Sequence, residues 1–183
     1  MIRLSIPGGR IGNFLAGAAV ASVLSGAALA VTSPNFTYSA PQNGFFSISP
    51  LHMAPDSDEA AADFFISYSG ILTSDGGFCY QTGVNLPNGA TLTTVSTWFE
   101  SGAGSNIQIF LFRYNLVTGT TTELTGFTPN DDTGIRRVTT QTVESANALV
   151  NNVQNAYAYA VCLGDSTEFF GARINYKYTS AGD

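Results

Sequence analysis

Apolar and polar residues alternate along this chain in short runs, and Gly, Asn, Ser and Pro interrupt the runs. A two-residue period is the mark of strands with distinct faces. Ala90–Phe99 is rich in Thr, Val and aromatics, follows the turn residues Pro87-Asn88-Gly89, and ends before the Gly/Ser break at 101–105. Asn106–Tyr114 sets Ile107, Ile109 and Leu111 on one face and Phe110 and Phe112 on the other. Apolar residues on both faces predict a central strand covered on each side, or one at an oligomer contact. The two strands together read as a hairpin.

A second pair is predicted near the end of the chain. In Ala156–Leu163, Ala156, Ala158, Ala160 and Cys162 face one way, and Tyr157, Tyr159, Val161 and Leu163 the other. Gly164-Asp165-Ser166 supplies the turn. In Phe169–Tyr178, Phe170, Ala172, Ile174, Tyr176 and Tyr178 share a face, opposite Arg173, Asn175 and Lys177. Weaker strands are expected at Phe36–Ala40, Phe45–Ser49, Phe64–Tyr68, Thr120–Phe127 and Ile135–Val143. Helical signals are limited to one turn at Asp58–Asp63 and two at Ser145–Val153, neither with an apolar stripe. The expected fold is all-β: a two-sheet antiparallel β-sandwich, jelly-roll-like, in a single domain.

The first thirty residues are expected to stand apart from that domain. Arg3 and Arg10 precede an apolar or small run, Phe14–Leu29, and Ala28-Leu29-Ala30 has the small-x-small form of a signal-peptidase site. A retained membrane anchor is the competing reading. Gly17, Ser22, Ser25 and Gly26 dilute the run below the ~20 strongly apolar residues that a span requires. The expected domains are a signal peptide, 1–30, and a β-sandwich, 31–183, with the product secreted, extracellular or on the cell surface. Without Arg3 and Arg10, the seven basic residues become five against thirteen acidic ones, a formal charge of −8. Nucleic acid is therefore excluded as a partner, as is stable membrane insertion after cleavage. Export exposes Cys79 and Cys162, 83 positions apart, to oxidation, so a disulfide is expected over two buried thiols. Closing so long a loop stabilises the fold by roughly 4–5 kcal/mol in the chain-entropy model.

Gly77-Phe78-Cys79-Tyr80, Leu86-Pro87-Asn88-Gly89-Ala90, Ile107–Arg113 and Gly171-Ala172-Arg173-Ile174-Asn175-Tyr176 occur in that order. In order and spacing they resemble a group of uncharacterised secreted bacterial proteins in which a Cys-Tyr segment, an LP-x-GA strand and a G-x-R-I-x-Y strand succeed one another. The resemblance covers Phe46 to Tyr178 and implies a β-sandwich without implying an activity. Glu100 stands where that group has aspartate at the end of the strand, and it keeps the carboxylate.

Candidate chemistry is sparse. Gly164-Asp165-Ser166 with His52 has the residue order of a serine hydrolase but lacks the surrounding glycines, and reads as a turn. His52, between Pro50 and Pro55, reads as a packing residue. The chain is therefore expected not to be an enzyme, with a small hydrolase as the residual reading, and to need no cofactor. Asp56, Asp58, Asp131 and Asp132 are weak structural-calcium candidates in acidic loops. Glu100, Arg113 and Arg173 lie on or beside strong strands, and at least one arginine is expected to pair with Glu100. Trp98, Tyr157, Tyr159 and Tyr176 are candidates for a binding face. The functional expectation is a structural or interaction role, with self-association as one partner mode. The alternative is a carbohydrate-binding module that holds a glycan on surface Tyr and Trp.

Intact mass of the exported protein checks this reading. The expected mass begins at Val31 and is two hydrogens short of the reduced chain; a mass retaining residues 1–30 contradicts cleavage at Ala30.

Overall fold

The computed structural model describes residues 36–62, 64–74, 77–101, 107–128 and 136–181. Eleven strands fill them: β1 Phe36–Ile48, β2 Ala54–Pro55, β3 Phe65–Ile66, β4 Leu72–Ser74, β5 Cys79–Gly83, β6 Thr91–Glu100, β7 Ile107–Asn115, β8 Thr121–Phe127, β9 Arg136–Thr142, β10 Asn155–Leu163 and β11 Thr167–Ala181. One short helix, α1 (Asp58–Ala62), and 3-10 turns at Pro50–His52 and Ser145–Asn147 complete the described elements. The strands form two antiparallel sheets. One has six strands, in the order β3-β4-β11-β6-β9 with β1 also on β11; the other has five, in the order β2-β5-β10-β7-β8. The molecule is the expected all-β, jelly-roll-like sandwich.

Neither expected hairpin forms. β6 belongs to the six-stranded sheet and β7 to the five-stranded one, and β10 and β11 are divided in the same way. Gly164-Asp165-Ser166 is a tight turn, closed by the Thr167 N–H on the Gly164 carbonyl at 3.1 Å, but it carries the chain from one sheet to the other. Among the described connections only β3–β4 and β7–β8 join strands that pair with each other. Alternation along a strand fixes which face is buried and is silent about which strand lies alongside. The strands expected at Phe36–Ala40 and Phe45–Ser49 are one strand, β1, whose register on β11 shifts between Thr37 and Gln42. Pro41, lacking an N–H, lies within that irregularity.

The inward faces of the two sheets form one core. Leu92, Val95 and Phe99 of β6 and Phe169, Ala172 and Ile174 of β11 meet Ile107, Ile109 and Leu111 of β7 and Tyr157, Tyr159, Val161 and Leu163 of β10. Phe169, not Phe170, is the inward residue, because the β11 register on β6 slips between Phe169 and Gly171 and inverts the phase of the alternation. Gly171 sits where β11 changes neighbour, with Phe169 opposite Leu72 of β4 and Ala172 opposite Ile48 of β1. Its φ is +142°, and a β-carbon there would stand 2.8 Å from the Ile48 carbonyl oxygen. The glycine opening the G-x-R-I-x-Y segment is thus required by both backbone conformation and space.

One link lies within a sheet and one crosses between the sheets. Cys79 and Cys162 are bonded and directly opposed in the β5–β10 register, so the disulfide staples neighbouring strands that are far apart in sequence. In the core, the Thr97 hydroxyl of β6 and the Tyr159 hydroxyl of β10 share a buried hydrogen bond of 2.9 Å across the sheets. Burial pushes the Tyr159 phenol well above the ordinary tyrosine range, and the bond to Thr97 pulls it part of the way back.

Thr97→Val and Tyr159→Phe should each lower unfolding free energy by about 1–3 kcal/mol, because each strands its partner's hydroxyl in the core. The double variant should lose less than the sum; additive losses in urea titrations would show that the hydroxyls do not depend on one another. Gly171→Ala should destabilise by about 1–3 kcal/mol through strain at positive φ. An unchanged denaturation midpoint would contradict the contact with Ile48.

Candidate functional site

The outer face of the five-stranded sheet carries an aromatic trough. On β10 the outward residues are Ala156, Ala158 and Ala160, and the register sets them opposite Tyr114, Phe112 and Phe110 of β7. On the other flank Gly83 faces Ala158, and Gln81 faces Ala160. Small side chains make a floor beside a wall of three rings. At roughly 7 Å per two strand residues the wall runs ~14 Å from Phe110 to Tyr114. The Phe110 and Phe112 rings stack at 5.4 Å between centroids, and Phe112 and Tyr114 lie 6.3 Å apart, tilted. All three rings are half-buried, and no described strand lies over them.

At one end of the trough lies a depression of about 210 Å³, bounded by Phe110, Phe112, Ala160, Gln81, Asp56 and the disulfide sulfurs. On the far side of the wall, Gly126 lies opposite Phe110. The Phe110 ring and the Glu123 carboxylate occupy the space that a side chain at Gly126 would fill. The face therefore offers apolar rings and methyls, the Gln81 amide, and the Asp56 and Glu123 carboxylates. Among the described residues no Lys or Arg points outward from this sheet face.

The outer face of the six-stranded sheet differs. Arg173 of β11 lies with its guanidinium 5.0 Å from the Phe45 ring centre and 5.5 Å from that of Trp98. The cation thus engages two rings of that sheet, although Phe45 stays 63% exposed and Phe65 of β3 is 61% exposed. Around them is a polar ladder in which Ser96 and Thr140 share a hydrogen bond of 2.9 Å and Asn175 Nδ2 donates to Thr94 Oγ1 at 2.9 Å.

Of the four binding-face candidates, Tyr157 and Tyr159 are core residues, 4% and 0% exposed. They are the large side of a strand whose small side faces out, and burying the large side removes more apolar surface from water. Tyr157 keeps its hydroxyl satisfied by accepting from the Asn151 N–H at 2.9 Å. Tyr176 packs against the core over Gly44, and Trp98 is half-buried beneath Arg173. The rings that do line an open face, Phe110, Phe112 and Tyr114, were signalled by the two-sided apolar pattern of their strand.

The register does not bring Arg113 or Arg173, the two arginines expected to pair with Glu100, beside it. Glu100 lies opposite Glu168 on one side and Arg136 on the other, whereas Arg173 lies opposite Ser96, four residues away along β6. Arg113 is in the other sheet, opposite Tyr157 and Thr122. Asp56 and Asp58 are exposed, and Asp131 and Asp132 lie outside the described residues. Among the described residues no three His, Cys, Asp or Glu side chains converge as metal ligands would. His52, expected to pack, is exposed at the end of its 3-10 turn. Leu86–Ala90 acts structurally: the Gly89 N–H donates to the Val150 carbonyl at 2.9 Å and the Val150 N–H to the Ala90 carbonyl at 2.8 Å.

No protein-family model and no curated protein sequence matches the chain. Among solved structures it is similar to the xylan-binding module CBM15, at 9% identity over 76% of this chain and 100% of that one, with a TM-score of 0.48. It is also similar to the C-terminal CBM6 of a marine laminarinase from Zobellia galactanivorans, at 15% identity over 72% and 98%, with a TM-score of 0.45. A third is Eiger TNF from S. frugiperda, at 12% identity over 81% and 92%, with a TM-score of 0.36. What these three share with this chain is the two-sheet sandwich.

Proposed function

We propose that this is a non-catalytic, extracellular glycan-binding domain, and that its site is the β7–β10 trough. The observation that carries the reading is the Phe110–Phe112–Tyr114 wall standing over an alanine floor, open along its length. A pyranose ring has apolar C–H faces and hydroxyl edges. The faces pack on rings and methyls, and the hydroxyls donate to Asp56 and Glu123 or exchange hydrogen bonds with Gln81. Because the charges on this face are carboxylates, the fitting ligand is neutral; uronate or sulfated chains are repelled. The length of the wall favours an extended chain over a single sugar. Secretion accords with the Cys79–Cys162 disulfide, a bond that persists in oxidising compartments.

Self-association is the second reading, favoured by the same uncovered apolar face. It places a second copy, rather than a polysaccharide, on the trough.

Affinity electrophoresis against soluble neutral polysaccharides (a xylan, a galactan and a mannan) tests the proposal. At least one should retard the protein, and Phe112→Ala should weaken that binding tenfold or more, about 1.4 kcal/mol, without unfolding the domain. Silence across a broad glycan array, or undiminished binding by the variant, would falsify glycan recognition at this face. Elution as a dimer that Phe112→Ala converts to monomer favours the second reading.

A further inference from the structure

Arg113 ends far from the carboxylate that the sequence suggested for it. Its position on β7 has the inward phase of Ile109 and Leu111, but it lies near the end of the strand, two residues before Asn115. There it lines a polar cavity of about 480 Å³ at the end of the sandwich, with Asn115, Thr122, Asn151, Gln154 and Asn155. Arg113 is half-buried, and its side chain makes no hydrogen bond or ion pair among the described residues. A guanidinium has five donors in a fixed fork, and a partly desolvated one without an acceptor is left uncompensated.

The walls of the cavity are fixed. Asn115 Oδ1 accepts from the Val117 and Thr118 N–H groups, each at 2.9 Å. Asn155 Nδ2 donates to the Asn151 carbonyl at 3.0 Å. The Leu116 N–H donates to the Gln154 carbonyl at 2.7 Å, which binds the β7–β8 turn to the loop before β10. That junction also carries exposed aliphatic residues: Leu149 lines the cavity, Leu116 and Val117 follow its lining residue Asn115 in the chain, and Val153 precedes Gln154. Leu116, Val117, Leu149 and Val153 are 64%, 79%, 61% and 81% exposed.

We propose that this cavity is a second ligand site, separate from the trough, and that it takes a carboxylate carried on a small aliphatic body. The carboxylate seats on the Arg113 fork, as planar bidentate pairing favours, and the aliphatic body lies against Leu149 and toward the exposed aliphatic residues that adjoin Asn115 and Gln154. The proposal stands on its own geometry and does not depend on glycan binding at the trough. The chemistry is common to the C-terminus of an apolar peptide and to a free aliphatic acid.

Chemical-shift titration of the ¹⁵N-labelled domain separates these sources. N-acetyl-leucine represents the peptide end, with N-acetyl-leucinamide as its carboxylate-free control; hexanoate represents the free acid; glucuronate carries a carboxylate on a polar body. N-acetyl-leucine, hexanoate or both should shift the Arg113 Nε–Hε resonance together with the amides of Leu116, Asn151 and Gln154. The larger response identifies the source. The amide control should bind at least tenfold more weakly, and glucuronate more weakly than either aliphatic acid. Arg113→Met should abolish the response without lowering the melting temperature, because no native ion pair is lost, and Arg113→Lys should retain a weakened one. No shift at tens of millimolar, an equal response to the amide, or an undiminished response in Arg113→Met overturns the proposal. A response to glucuronate exceeding both aliphatic acids overturns the aliphatic assignment.

Discussion

The division of labour along β10 is the constraint on which the rest of the molecule depends. Its inward residues are large, Tyr157, Tyr159, Val161 and Leu163, and its outward residues are small, Ala156, Ala158, Ala160 and Cys162. The inward set fills the space between the sheets and, through Tyr159, touches the opposite layer. The outward set leaves a shallow floor beside the β7 rings. A slip of one residue would put methyls in the core and phenols on the surface, losing core and trough together. Register is therefore what has to be secured, and the bond between Cys79 and Cys162 clamps it at one end of the strand.

The two outer faces put aromatic rings to different uses. On the six-stranded sheet Arg173 stacks against Phe45 and Trp98, and the neighbouring Ser, Thr and Asn side chains bond to one another. Its polar groups are occupied within the molecule. On the five-stranded sheet the rings stack on one another beside small residues, and the nearby carboxylates are at the margins. That contrast, rather than the number of aromatic residues, identifies the face with unused binding capacity.

The strands were legible in the sequence because alternation reports burial directly. Ile107, Ile109 and Leu111 face inward as the pattern required, and the disulfide followed from the cysteine count. What alternation does not encode is adjacency, so β6 and β7 looked like a hairpin although they lie in different layers. A bulge also escapes it, since the slip at Gly171 transfers burial from Phe170 to Phe169. The candidate site was legible only in part. Phe110 and Phe112 stood out as a second apolar face, but the reading covered that face instead of leaving it open. Tyr157 and Tyr159 were assigned to the surface because size was taken as a sign of exposure, whereas in a thin sandwich the large side of a strand fills the middle. Pairing of charges depends on which strand ends meet, and that is a property of topology alone.

The placement of β11 has a consequence for how the chain acquires its structure. This strand, Thr167–Ala181, lies in the middle of the six-stranded sheet, with β6 along one edge and β4 and then β1 along the other. During synthesis the strands that flank it are made first; β4 can pair with β3 and β6 with β9, but β1 has no described partner until β11 emerges. Much of the pairing in that layer therefore forms late and between distant segments, a pattern associated with slow folding. Until β11 emerges, the edges of β1, β4 and β6 that await it stay open to mispairing with other strands.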